Sequence, residues 1–156
     1  MNIILDKDQF NLNNIFFMDK KKNLIIEGLF SKILLSTKGF TMNCIYLKLP
    51  IDNIKIEKNI NKTIYSFNPH SQTNVLTILD ISKVEYKLIE MYKKLHNLSK
   101  KTSIKLSLQL YSGLLKLYDS KPNNKNTDKD YNFVVKISGI WETQYEIGIT
   151  YKIIYI

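Results

Sequence analysis

Two stretches near the end of the chain alternate side chains with a period of two, and that period constrains them to β-strands. In YNFVVKISGIW, Tyr131, Phe133, Val135, Ile137 and Trp141 fall on one side, with Asn132, Val134, Lys136 and Ser138 on the other. In IGITYKIIYI, Ile147, Ile149, Tyr151 and Ile153 face one way and Thr150 and Lys152 the other. Successive strand residues point to opposite faces, so each apolar row marks a buried side. A tight reversal between the two stretches makes them an antiparallel hairpin, with Gly139 and Gly148 serving turns or bulges near it.

The same period recurs upstream. FTMNCIYLKLP sets Thr41, Asn43, Ile45, Leu47 and Leu49 against Met42, Cys44, Tyr46 and Lys48. IKLSLQLY sets Ile104, Leu106, Leu108 and Leu110 against Lys105, Ser107, Gln109 and Tyr111, and Ser112-Gly113 breaks the register. LLKLY resumes it, with Lys116 and Tyr118 opposite Leu115 and Leu117. Leu24 to Ile26, Lys32 to Ser36 and Thr63 to Phe67 read as shorter strands.

One segment has a helical period. Ser82 and Glu85 form a capping-box pattern, with Ile81 and Tyr86 placed as a hydrophobic staple. Val84, Leu88, Met91, Tyr92, Leu95 and Leu98 then recur at helical spacing. Asn74 to Leu79 reads as a preceding helical segment capped by Asn74. A mainly β chain with one principal helix between two strand groups fits an OB-like antiparallel β-barrel, and a β-sandwich with a packed helix is the competing architecture. With 156 residues, the chain is expected to form a single domain over residues 1–156. The segment DSKPNNKNTDKD, Asp119 to Asp130, has no apolar residue and is expected to be a mobile loop.

The chemistry of enzymes is hard to place on this sequence. The five glycines are scattered and form no phosphate loop. His70 follows Asn68-Pro69 in a turn without a nucleophile beside it, and His96 lies where a histidine cation suits a helix C-terminus. Asp6, Asp8, Asp52, Glu57 and Glu142 lack metal-ligand spacing, and two histidines with one cysteine make no standard zinc site. The expectation is therefore no catalytic residue, no metal and no cofactor. Cys44 is the single cysteine, which fits a reducing intracellular setting without disulfides. No apolar run is long enough to span a bilayer, and MNIILDKDQF is not a secretory signal, so no membrane partner is expected.

The formal net charge is +9, and every basic residue is lysine. Lysine, asparagine and isoleucine have AT-rich codons, so genome bias is a competing explanation of this composition. The charge itself still attracts phosphate polyanions. Lysines and tyrosines interleave on the strand faces opposite the apolar rows: Tyr46 with Lys48, Lys105 with Tyr111, Lys116 with Tyr118, and Lys136 and Lys152 on the last two strands. Lysines follow phosphates without reading sequence, and aromatic faces stack on unpaired bases. The lack of arginine tells against duplex readout. Trp141 falls on the apolar row of its strand, as a core residue first and a stacking platform second. DKKKN, Asp19 to Asn23, reads as a solvated turn.

FTMNCIYLKLPI (Phe40 to Ile51) and ISGIWETQYEIGITYKI (Ile137 to Ile153) resemble short lysine- and asparagine-rich proteins of nucleocytoplasmic large DNA viruses. As a group these are similar to the single-stranded DNA-binding proteins of the bacteriophage T7 type. The resemblance implies an OB-fold that binds single-stranded DNA in viral replication or repair, in host cytoplasm or a viral factory. It also implies self-association and replication-protein partners. That family carries an acidic C-terminal tail ending in an aromatic residue, whereas TYKIIYI has a lysine and no acid, so tail-mediated recruitment is not expected. The alternative is a viral structural or interaction protein whose β surface meets another protein.

Overall fold

The computed structural model describes residues 3–118 and 133–156, with Tyr118 described by its backbone alone. The Asp119–Asp130 loop, together with Tyr131 and Asn132, lies outside the described residues. The strands are β1 (Ile4–Leu5), β2 (Ile15–Phe17), β3 (Lys21–Lys22), β4 (Leu29–Ser36), β5 (Thr41–Asn43), β6 (Ile45–Leu49), β7 (Lys55–Lys58), β8 (Lys62–Ser66), β9 (Lys101–Thr102), β10 (Leu114–Tyr118), β11 (Phe133–Glu142) and β12 (Glu146–Tyr155). Helix α1 spans Gln72–His96 and α2 spans Lys105–Tyr111. The mainly β expectation stands.

The expected terminal hairpin is present. β11 and β12, each ten residues long, pair antiparallel. β11 is the hub of the large sheet: its other edge pairs with β6 through Phe133–Ile137, then with β4 through Gly139–Glu142. The hydrogen-bonded path β1-β6-β11-β12-β9 has two open ends, with β2, β3 and β5 attached through β4. Among the described residues it does not close into a barrel. A second sheet, β10-β8-β7, is separate. Tyr65 of that sheet packs edge-on against Phe133, at 5.0 Å between ring centroids, so the two sheets share one core.

Ile45, Leu47, Leu49, Val135, Ile137, Ile147, Ile149 and Ile153 form the buried face of the large sheet. FTMNCIYLKLP is not one continuous strand. Cys44 sits at φ 69, left-handed backbone that is unusual for a residue with a Cβ, and it breaks the stretch into β5 and β6. Thr41 and Asn43 are exposed, while Ile45, Leu47 and Leu49 are buried. Leu24 to Ile26 is also not a strand: it is the turn between β3 and β4, and β4 starts earlier than expected, at Leu29.

α1 is one helix of 25 residues, longer than the capping box at Ser82 predicts. Its N-cap is Ser71, whose Oγ accepts the Asn74 N–H at 3.3 Å. Asn74 lies inside the first turn, fully buried. Its Nδ2 donates to the carbonyls of Asp52 and Asn68, both at 3.0 Å, and its Oδ1 accepts the Asp52 N–H at 2.8 Å. Ser82 is mid-helix, and Tyr86 is exposed instead of stapled. The capping box misled because its Glu serves a different helix.

That helix is α2, which replaces the strand expected for IKLSLQLY. Alternating leucines fit both periods: Leu106 and Leu110 are four apart, share a helical face and are both fully buried, while Leu108 is exposed. Leucine, lysine and glutamine are good helix formers. Glu85 of α1 decides the matter. Its carboxylate accepts the N–H groups of Leu106 (3.0 Å) and Ser107 (2.9 Å) and the Ser107 hydroxyl (2.5 Å). α2 has no side-chain cap of its own, so its free N-terminal donors are satisfied from a neighbouring helix.

Candidate functional site

Residues directly opposed in an antiparallel ladder share a face, so the register maps the outer surface of the large sheet. β12 runs without a bulge, and Gly148, Thr150, Lys152 and Ile154 all point away from its buried row. Four cross-strand rows follow from them. The first is Lys21–Phe30–Trp141–Gly148, and the second is Lys32–Gly139–Thr150. The third is Tyr46–Lys136–Lys152, and the fourth is Lys48–Val134–Ile154. With strands about 4.8 Å apart, the third row sets a tyrosine and two lysines across about 10 Å. In β12 the carboxylate on this face is Glu146, at one end and 4.0 Å from Lys101.

Trp141 changes sides relative to the sequence expectation. Ile137 opposes Tyr151 and Gly139 opposes Thr150, so Ser138 is an extra residue, a β-bulge. The bulge resets the alternation and moves Trp141 from the buried row to the lysine row. Its ring lies against Gly148, where a Cβ would collide with the indole, so Gly148 serves close packing and not a turn. The indole Nε1–H donates to the Ile149 carbonyl at 3.1 Å. Above the ring, 5.1 Å from its centroid, sits the Lys105 ammonium. Trp141 is 9% exposed, so it supports the surface more than it displays a free ring. The Phe30 ring lies similarly across Gly139 and is partly open. Tyr46 is half-buried with the Lys136 ammonium 5.9 Å from its ring centre.

The structure therefore groups Tyr46, Lys48, Lys105, Lys136, Trp141 and Lys152 on or at the rim of one face. Lys48 forms an exposed ion pair with Asp6 at 3.2 Å, which is weak in water. Lys116 is on the other sheet, in a row with Ile64 and Glu57. Tyr118 ends the same strand, opposite Lys62. Tyr111 is exposed at the C-terminal end of α2 and belongs to none of the rows. Tyr111, Lys116 and Tyr118 thus lie outside this cluster, and Lys105 reaches it without Tyr111 because the strand expected to carry both is a helix. Lys21, Phe30 and Lys32 were missed. The alternation Phe30, Lys32, Leu34 against Ser31, Ile33, Leu35 carries that signal once the strand is extended back to Leu29.

On the opposite side of β11 lies a buried carboxylate. Glu142 accepts Lys100 Nζ at 2.6 Å, Lys20 Nζ at 3.0 Å and the Tyr92 hydroxyl at 2.8 Å. Burial pushes its pKa up, but the hydrogen bonds from Lys100, Lys20 and Tyr92 outweigh that and hold it at about 2. A carboxylate so fully engaged is a strut, not a proton shuttle. It joins β3, the end of α1 and β11, and it takes Lys20 of DKKKN out of the solvated turn. Burial pushes the Tyr92 hydroxyl to about 12. Burial, and then the charge of Lys20, lower the His96 pKa, which works against the helix-end cation its position suggests.

Among the described residues no helix is long and apolar enough to cross a membrane. Comparison with protein-family models, with curated proteins and with solved structures finds no match to this chain.

Proposed function

We propose that the outer face of the large sheet binds single-stranded nucleic acid, without sequence preference and without catalysis. The observation that carries the reading is the register: one row aligns Tyr46, Lys136 and Lys152, with Lys32 and Lys48 in the rows beside it. Lysines neutralise phosphates, and each base stacked on an aromatic face adds about 1–3 kcal/mol. Tyr46 and Phe30 are the stacking residues. Lys105 and Trp141 form the firm rim between them and the α2 edge. An unpaired strand exposes base faces that a duplex hides, and no arginine is present for bidentate guanine contacts.

The resemblance noted above adds DNA as the polymer, viral replication or repair as the setting, and self-association. The OB-like reading belongs to the same proposal. Its support is the short circuit in which β11 pairs with β6 and β4, while β4 pairs with β5, the segment leading into β6.

Titration with oligo-dT and with matched duplex at several salt concentrations, read by tryptophan emission, tests the proposal. Tighter binding of the single strand, weakening steeply with salt, is the expected result. A folded protein that ignores oligo-dT at about 50 mM salt refutes it. A second reading, a protein-contact module, is favoured by a different surface: Leu76, Leu79 and Tyr86 are exposed along the stripe of α1 opposite its buried face.

A further inference from the structure

The turn between β3 and β4 displays bare aliphatic side chains. Leu24 is 97% exposed and Ile25 92% exposed, with Ile26 partly so. Such exposure in a loose loop means little, but this turn is braced. The Asn23 side-chain oxygen accepts the N–H groups of Ile25 (3.0 Å) and Ile26 (3.4 Å), and the Asn23 N–H donates to the Gly28 carbonyl at 2.9 Å. Gly28 has φ 151, and a Cβ there would run into the carbonyl of Glu142. Glycine at this point lets the turn seat against the end of β11. Lys20 fastens the incoming strand to Glu142. Lys21 and Lys22 are exposed at the base of the turn, and Lys21 opens the row that continues through Phe30 and Trp141 onto the basic face.

A rigid apolar tip on a cationic base suits a partner that is anionic outside and apolar within. Stacked bases and anionic bilayers both have that character. The placement favours the bases. Lys21, Phe30 and Trp141 carry the base of the turn directly into the rows of the basic face. A polymer lying along that face meets the Leu24 tip at the end of the rows.

We infer that the Asn23–Gly28 turn is a wedge that enters the base stack at a junction between single strand and duplex. The inference rests on the single-strand reading above: the sheet face grips the unpaired strand, and Leu24 and Ile25 press between the first paired bases. Aliphatic side chains wedge base steps apart in this way, at the expense of stacking that the added contacts offset.

The test uses a forked duplex with an oligo-dT arm and 2-aminopurine at the junction pair, with plain oligo-dT and phosphatidylserine vesicles in parallel. Wild-type protein is expected to bind the fork more tightly than oligo-dT and to raise 2-aminopurine emission. The double variant L24S/I25S, at positions that pack against nothing, is expected to keep its oligo-dT affinity. Its fork preference is expected to fall by about tenfold, with the emission rise lost. L24F keeps an apolar tip and should keep both. Equal loss of fork and oligo-dT binding in a folded L24S/I25S overturns the wedge and makes the turn part of the strand grip. Unchanged fork behaviour also overturns it, as does loss confined to vesicle binding. Failure of wild-type protein to bind oligo-dT at all is a different outcome, which removes the single-strand reading and the wedge with it.

Discussion

Replacing Glu85 with alanine should unseat α2 and, through it, the edge of the candidate face. Glu85 is fully buried and accepts three hydrogen bonds from Leu106 and Ser107, themselves buried. Truncation leaves two backbone donors and one hydroxyl without a partner, at about 1–3 kcal/mol each. Relief from keeping a carboxylate out of water offsets part of this. A net loss of about 3–4 kcal/mol follows, a large share of the roughly 5–15 kcal/mol expected for a folded domain. E85Q keeps the volume and one acceptor oxygen, so its loss should be about half as large. Urea unfolding followed by far-ultraviolet dichroism and tryptophan emission measures both variants. At a slope of about 2 kcal/mol per molar, the E85A midpoint should fall by roughly 1.5–2 M. Native E85A should also emit further to the red, because Lys105 leaves with α2 and uncovers Trp141. A loss under about 1 kcal/mol with unshifted emission would refute the cross-helix cap.

Stability should be flat near neutrality and fall at both extremes. Glu142 is held at about 2, below its ordinary value of 4.5, so its contribution is complete above pH 4.5. That contribution, about 3 kcal/mol, disappears as pH drops from 4.5 towards 2, and E142Q should flatten this limb. Tyr92 and Tyr151 are raised from 10 to about 12, Tyr151 by burial and then by the charge of Glu85. Their contribution is whole below pH 10 and lost as pH rises from 10 to 12. Denaturant midpoints across pH check both limbs, and a midpoint constant from pH 5 down to 2 would contradict the Glu142 account. G148A should cost about 1–3 kcal/mol and shift tryptophan emission, since its methyl would occupy the place of the indole; a neutral G148A would mean that the ring does not lie there.

The terminal hairpin was legible because one buried face with strict alternation specifies both strand and register. Ile147, Ile149 and Ile153 needed nothing beyond the local pattern. IKLSLQLY was not legible, because Leu106 and Leu110 satisfy either period and the deciding group, Glu85, lies far back in the chain. The Ser82 capping box failed for the same reason: its Glu bonds across space. Trp141 was assigned to the wrong row because one extra residue, Ser138, inverts everything after it; Gly139 beside it is a turn or bulge signal, but it does not by itself say that the alternation is reset. On the candidate face, Tyr46 was set with Lys48, and Lys136 and Lys152 were placed only as residues of the last two strands. The alignment of Tyr46, Lys136 and Lys152 in one row comes from pairing between distant strands, which periodicity within a strand cannot supply.

The salt dependence of oligo-dT binding tests the central claim most directly. Each lysine that neutralises a phosphate of a single strand contributes about 0.7 to the slope of log affinity against log salt. Replacing Lys32, Lys136 and Lys152 together by glutamine should lower the slope by about 2, while K116Q, on the other sheet, should leave it unchanged. Equal slopes for wild type and the triple variant, or a slope that falls only in K116Q, would contradict the assignment of binding to this face.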